Sequence, residues 1–363
     1  MRRLLLFTFS CARIAALVAL ECLATAAYAQ TITTFDVPNS TLTYPTAVNS
    51  AGVVTGYYQD ASGQHGFLRY ADGTFATFDV PGSTSTHPTG ISPAGHITGY
   101  SDGPIISGGS IEDPNYEGRG FVRQKDGTID IFDACNERIT GPFIYIFTYP
   151  QSISASGDVA GLCDHFAYMD EWKYGFIRQS DGTTVSILIP DFFRPTGQGA
   201  FLNPQAINPR GQITGAFARS LVTHGFSLRD GVFIEFDVYP GNGYRRTQPQ
   251  AINPAGQITG FGTDIDSETP HGFLRQPDGT ITRFDPDGSI STNPQAINPA
   301  GQITGFYVDA SLVGHGFLWQ HGNISTFDAP HAIYTYPTAI SPAGQITGWY
   351  SEGTIVHGFV RSK

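Results

Sequence analysis

The chain has 363 residues, only 14% of them charged, and a formal net charge of −11. Globular domains usually hold about 25% charged residues; here 43 glycines, 24 prolines and 13% aromatic residues replace them, the chemistry of turns and strands. An acidic balance of this kind argues against a nucleic-acid partner, which needs a basic footprint.

The first 29 residues read as a secretory signal. Arg2 and Arg3 supply the basic start, Ile14–Leu20 lies in the apolar part, and Ala27-Tyr28-Ala29 is an A-x-A cleavage site that leaves Gln30 first. The apolar run is short and broken by Arg13, which speaks against a membrane anchor, and no later segment could span a bilayer. A lipoprotein signal fits poorly, because Cys22 follows Glu21 where a small residue is needed. The expected location is the periplasm or the extracellular medium. Cleavage leaves 17 basic against 30 acidic residues, a net charge of −13.

From Thr31 onward the chain repeats itself. Gly-x-x-x-Gly starts at Gly52, Gly95, Gly157, Gly211, Gly256, Gly301 and Gly344, and a Gly-Phe pair recurs at Gly66, Gly120, Gly175, Gly225, Gly272, Gly316 and Gly358. A period of roughly forty to fifty residues marks a propeller or solenoid. The stretch Asn293–Asp328 is the cleanest copy. Pro294–Ile297 forms a short strand A and runs into Asn298-Pro299-Ala300-Gly301, a type I turn with Gly free to take positive φ. Gln302–Tyr307 is strand B, His315–Trp319 strand C, and Ile324–Asp328 strand D. Other copies join C to D through Asp72-Gly73, Asp126-Gly127, Asp181-Gly182 and Asp278-Gly279, a strong hairpin signal. If those turns hold two residues, Phe67 faces Phe78, Phe121 faces Phe132 and Phe273 faces Phe284. Strand B repeats a glycine from Gly56 to Gly348, and strand A a small residue from Ala47 to Ala339, as a crowded inner strand requires.

At the two ends the copies are incomplete. Thr31–Val37 reads as a strand D alone, and Pro337–Arg361 supplies A, B and C without D. The two ends complete one blade, which removes open sheet edges. The expected fold is therefore an all-β, seven-bladed propeller of four-stranded antiparallel blades over residues 30–363, closed by the N-terminal strand.

A–B and C–D turns are short in every copy, whereas B–C loops and D–A links vary, so the variation falls on one face. Variable loops on a rigid frame are where binding residues usually sit. The largest insertions are Ser101–Gly118, Ala134–Thr148, Asp164–Lys173 and Pro190–Leu202, all in blades two to four. Cys11 and Cys22 leave with the signal. Cys135 and Cys163 remain, and in an exported chain a disulfide is the expectation, two buried thiols being the alternative.

The run His-Gly-Phe-Leu-Arg, then Asp-Gly-Thr, then Ala-Ile-Asn-Pro-Ala-Gly-Gln-Ile-Thr-Gly, resembles the bacterial HAF-type extracellular repeats across nearly the whole chain after the signal. The resemblance implies export and a β-rich repeat fold, and carries no activity with it. Blade three departs from the pattern, with Tyr174 for His and Ser186-Ile187-Leu188 at the end of strand D.

Five histidines start strand C: His65, His224, His271, His315 and His357. One per blade places them too far apart to share a metal. A hydrogen bond at the loop end is the simpler role, and the same holds for Asp36, Asp79, Asp133, Asp237, Asp285 and Asp328 at the end of strand D. No metal or cofactor is expected. No Gly-x-Ser-x-Gly, phosphate loop or His-x-x-x-His is present. Glu112, Asp113, Glu117, Glu137, Asp164, Asp170, Glu171 and Asp191 crowd the decorated blades and read as a solvated rim, although paired acids for glycoside cleavage would lie among them.

The residues before the strand A proline form the more informative set: Tyr44, His87, Tyr149, Asn203, Gln248, Asn293 and Tyr336. All can hydrogen-bond. Pre-proline geometry and a wet mouth would favour such residues in any case. The insertions add Phe143, Tyr145, Phe147, Tyr168, Trp172, Phe192 and Phe193. Aromatic rings beside amides suit sugar faces and hydroxyls. The expected function is a secreted, monomeric, non-catalytic module that binds extracellular glycan or cell-envelope polysaccharide off-centre, near blades two to four. A glycosidase or polysaccharide lyase and a protein-interaction scaffold are the alternatives.

Overall fold

The computed structural model describes residues 31–102, 117–135, 145–167, 170–187, 201–219, 222–239, 246–263 and 269–362. The signal segment lies outside them. The described chain is all strand, turn and irregular backbone, with no helix to cross a membrane.

The strands fall into groups of four. β1 is Thr31–Phe35. Group I follows with β2 (Leu42–Val48), β3 (Val54–Gln59), β4 (Gln64–Arg69) and β5 (Phe75–Phe78). Group II holds β6 (Ser85–Ile91), β7 (Ile97–Asp102), β8 (Glu117–Arg123) and β9 (Ile129–Phe132), and group III β10 (Tyr145–Ile153), β11 (Val159–Ala167), β12 (Asp170–Arg178) and β13 (Thr184–Ile187). Group IV is β14 (Phe201–Ile207), β15 (Ile213–Arg219), β16 (Val222–Arg229) and β17 (Val232–Phe236), and group V β18 (Arg246–Ile252), β19 (Ile258–Thr263), β20 (Pro270–Arg275) and β21 (Ile281–Phe284). Group VI is β22 (Ser289–Ile297), β23 (Ile303–Asp309), β24 (Gly314–Gln320) and β25 (Asn323–Phe327). Group VII has β26 (Tyr334–Ile340), β27 (Ile346–Glu352) and β28 (Ile355–Ser362), and β1 pairs antiparallel with β28 as its fourth strand, Thr34 opposite Phe359. The first strands of neighbouring groups lie side by side, β26 beside β2 included. They make the inner edge.

Crowding at that edge explains the strand B glycines. Each first strand carries a bulge after its proline, as between Pro45 and Ala47. A Cβ on Gly56 would stand 2.0 Å from Tyr44 O, closer than any side chain can approach. The A–B turn takes the expected form: Gly301 N–H donates to Asn298 O at 2.9 Å, with Gly301 at φ 77°. The Asn298 side chain accepts from the Ala300 and Gln302 N–H groups, so the turn's inner donors are satisfied locally.

The C–D turn differs from the two-residue expectation. Tyr70 N–H donates to Thr74 O and Gly73 N–H to Tyr70 O, so the loop is one residue longer, a type I turn with a glycine bulge. The register moves by one. Phe78 lies opposite Gly66, not Phe67, and the same shift puts Phe132 opposite Gly120 and Phe284 opposite Gly272. This is why the phenylalanine of strand C is preceded by glycine: a Cβ on Gly66 would meet the Phe78 ring at 2.7 Å.

Freed from its own hairpin partner, each strand D phenylalanine packs on the next group. Phe78 meets Phe121 edge-to-face with centroids 6.2 Å apart, Phe236 meets Phe273 at 6.1 Å, and Phe327 meets Phe359 at 6.2 Å. The strand C rings, Phe67 to Phe359, are 0% exposed, each stabilising by about 1.5–3 kcal/mol through burial. The arginine that ends strand C caps the contact: Arg123 lies over Phe78 at 5.0 Å and Arg275 over Phe236 at 4.8 Å. Where group III ends in Ile187, the matching position of group IV is Leu228, and both join one apolar cluster. β1 obeys the same rule: Phe35 packs on Phe67 at 6.3 Å under Arg69.

Cys135, just after β9, and Cys163, in β11, form a disulfide between groups II and III. The stretch Asp164–Lys173, expected as an inserted loop, is largely a lengthened hairpin in which Asp164 pairs with Lys173 across β11 and β12, their charged atoms 3.0 Å apart.

Candidate functional site

The seven pre-proline residues all sit on first strands, half-buried at the inner edge. Each faces the residue that follows the strand B glycine. Tyr44 lies opposite Tyr57, His87 opposite Tyr100, Asn293 opposite Phe306 and Tyr336 opposite Trp349. Those second-strand rings were not singled out from the sequence. The signal was there: on a strand the residue after an inner-edge glycine returns to the face of the pre-proline side chain opposite it.

Together the two sets make an unbroken run of rings. Phe306 touches Tyr336 (centroids 4.5 Å), Tyr336 touches Trp349 (4.1 Å), and Trp349 crosses to Tyr44 (5.6 Å). Tyr44 stacks on Tyr57 (5.0 Å), Tyr57 meets His87 (4.8 Å), and His87 stacks on Tyr100 (4.8 Å). Tyr100 meets Tyr149 edge-on (5.0 Å), and Tyr149 stacks on Phe147 (5.6 Å). The remaining wall holds Asn203, Gln248 and Asn293, with the bulge residues Gln205, Gln250 and Gln295 on the same strands. Asn203 Oδ1 is buried with no hydrogen-bond donor among the described residues.

The wall is neutral at pH 7. Burial, then the Tyr44 and Tyr100 phenols, push the Tyr57 hydroxyl up to about 12. Burial likewise raises Tyr100 and Tyr336. His87 is held below the usual histidine range by burial, which outweighs the pull of Asp102. Its phenols and imidazole therefore offer donors and acceptors without charge.

Of the inserted aromatics whose side chains are described, Phe147 joins this run. Phe143, Tyr168, Phe192 and Phe193 lie outside the described residues. Tyr145 and Trp172 fall within β10 and β12, Trp172 opposite His165. Among the described residues the run of rings spans groups VI, VII, I, II and III. Of the acidic set, Glu112, Asp113, Glu137 and Asp191 are outside the described residues, Glu117, Asp170 and Glu171 fall in strands, and Asp164 is paired with Lys173.

The five histidines take the role expected of them. Each bonds the strand D aspartate of its own group: His65 to Asp79 at 2.8 Å, His224 to Asp237 at 3.0 Å, His271 to Asp285 at 2.9 Å, His315 to Asp328 at 3.0 Å. His357 bonds Asp36 at 2.9 Å, which ties β28 to β1.

No protein-family description matches the chain, and no curated protein matches it. Solved structures do. A streptogramin B lyase aligns over 93% of this chain and 100% of its own, with TM-score 0.56 and 13% identity. A virginiamycin B lyase from Staphylococcus aureus aligns over 92% and 100%, with TM-score 0.54 and 13% identity. The β-propeller domain of the Trilobed protease from Pyrococcus furiosus, described as having an open velcro topology, aligns over 88% and 95%, with TM-score 0.57 and 9% identity. At such identities the likeness is one of fold: the chain is an all-β protein of propeller type.

Proposed function

We propose that residues 30–363 form a single seven-bladed propeller, exported by residues 1–29 and related to the HAF-type repeats, that binds a neutral extracellular glycan at its inner edge without catalysis. β1 closes the ring, supported by its pairing with β28 and by the bond from Thr338 Oγ1 to Pro45 O at 3.0 Å. The observation that carries the binding reading is the run of rings from Phe306 to Phe147, facing a wall of amides. Flat rings suit the C–H faces of pyranose units, and amides suit their hydroxyls. A polyanionic glycan would meet an acidic chain, net −11 over the full sequence, and a wall without cations among the residues named.

The test is a binding screen of the mature chain against neutral and uronate-rich polysaccharides, with analysis of products. Retention on neutral polymers without products is the expected result. Tyr57→Ala and Tyr149→Ala should each weaken binding by about 1–3 kcal/mol, while Lys125→Ala, exposed on a C–D turn, changes nothing. Released oligosaccharides would replace the reading with a glycosidase or lyase. Binding to no glycan at all would leave the protein-interaction scaffold.

A further inference from the structure

Opposite each buried strand C phenylalanine stands a strand D residue that separates the groups. It is Thr34, Thr77 and Thr326 opposite Phe359, Phe67 and Phe317, Ile131 opposite Phe121, Ser186 opposite Phe176, and Arg283 opposite Phe273. In groups I, VI and VII that threonine bonds a phenol, Tyr58, Tyr307 or Tyr350. Group IV replaces both partners. The phenol position is Phe217, stacked on His224 at 5.3 Å, and the threonine position is Glu235, opposite Phe226. A carboxylate is thereby added to a His–Asp pair that has none at this position elsewhere.

The result is three carboxylate oxygens around one ring nitrogen. His224 Nδ1 lies 3.0 Å from Glu235 Oε1, and 3.0 and 3.1 Å from the Asp237 oxygens. Nδ1 carries at most one proton, so it cannot serve them all as a donor. Metal bonds of about 2.0–2.2 Å bring neighbouring ligand atoms about 3 Å apart, the distance from Nδ1 to each carboxylate, and one ligand atom from each of the three side chains lies within 4.8 Å of the others. The side chains are well shielded, His224 at 9% and Glu235 at 18% exposure. Arg219 donates at 2.8 Å to the same Glu235 Oε1 that faces His224, which fixes the orientation of that carboxylate.

We propose that His224, Glu235 and Asp237 form a binding site for a divalent first-row transition metal. One imidazole with two carboxylates is an N/O set for zinc, manganese or iron, and less suited to calcium, which takes oxygen alone. The site is independent of glycan binding at the inner edge.

The experiment is calorimetric titration of chelator-treated mature protein with ZnCl2 and, separately, MnCl2, with thermal melting as a second readout. One zinc per chain should bind and raise Tm. Glu235→Thr installs the residue of groups I, VI and VII, so it should fold, and should weaken zinc binding at least tenfold and abolish the Tm shift. Asp237→Asn, nearly isosteric, should do the same and decides the matter if Glu235→Thr fails to fold. His357→Gln, in another group, should bind zinc as the parent does. No saturable binding of either metal, parental affinity in Glu235→Thr and Asp237→Asn, or equal loss in His357→Gln would overturn the site and leave a closed ion network of Arg219, Glu235, His224 and Asp237.

Discussion

The inner edge has two halves that are fastened differently. In groups VII, I and II the bulge residue is threonine and bolts each first strand to the next: Thr338 Oγ1 donates to Pro45 O at 3.0 Å, Thr46 to Pro88 O at 2.9 Å, and Thr89 to Pro150 O at 2.9 Å. In groups IV, V and VI that position is glutamine, and the fastening lies at the A–B turn, a site that group I uses as well, Asn49 Nδ2 donating to Ser92 O at 3.5 Å. Asn208 Nδ2 donates to Asn253 O at 3.1 Å, Asn253 to Asn298 O at 3.2 Å, and Asn298 to Ser341 O at 3.3 Å. The threonine half carries most of the rings and the glutamine half the amides. The lock between neighbours thus has two sites, of which group I uses both, and changing the bulge residue leaves one of them in place.

The sharpest way to break the comparison is to open the seam inside the threonine half. Deleting residues 30–37 removes β1, the Phe35 ring and the Asp36 bond to His357, and should lower the unfolding midpoint in heat or urea more than any other such change. Unchanged melting would mean that the ring does not close there. Next in size is the Cys135–Cys163 bridge, which ties group II to group III. With its cysteines 28 positions apart in sequence, its reduction should cost about 3–4 kcal/mol in the chain-entropy view, read from urea midpoints with and without reductant. Two titratable thiols in unfolded, unreduced protein would dispose of it.

The two kinds of lock should then separate in size and place. Asn253 is 1% exposed and makes four hydrogen bonds, two within its turn through Oδ1 and two through Nδ2. Asn253→Ala should cost about 1–3 kcal/mol by stranding buried groups, and Thr46→Val about 1 kcal/mol. Amide exchange should quicken around groups V and VI in the first and groups I and II in the second; a uniform effect in both would erase the distinction. The smallest effect is one of pH. Burial lowers His65, but Asp79 and Asp60 together outweigh it, so its folded value stands above 6.5. Its contribution is therefore complete below pH 6.5 and is lost as pH rises through the raised folded value. Stability measured across that window should slope less in Asp79→Asn than in the parent.

Much of this was legible in the sequence because the repeat is written in glycine, proline and turn residues, whose backbone demands are local. The positions of Gly301, Gly56 and the Asn298 turn and the lone strand at Thr31 follow from such demands, and the cysteine pair from the count of two left after the signal. The phenylalanine register did not, because Tyr70 to Thr74 admits two hairpins that differ by one residue, and the choice turns on a neighbouring blade. The run of rings was half seen: Tyr44 and Tyr336 stood out beside proline, whereas Tyr57 and Trp349 follow a glycine that drew attention to itself. Glu235 looked like any surface acid until Phe217 and His224 were beside it.

The pairing of β1 with β28 also bears on how the chain reaches its fold. Asp36 and His357 are 321 residues apart, whereas the contacts within a hairpin, such as Thr55 with Phe67, span 12. Each doubling of a loop costs about 0.6 kcal/mol of closure entropy, so an unassembled chain gains little by seeking that contact early. Stacking the groups one after another through short hairpins brings the two ends together and makes the last step nearly local. Until the residues of β28 have been synthesised, however, β1 has no partner and the growing assembly keeps two open edges. The risk of aggregation is therefore concentrated in the interval before the final strand arrives.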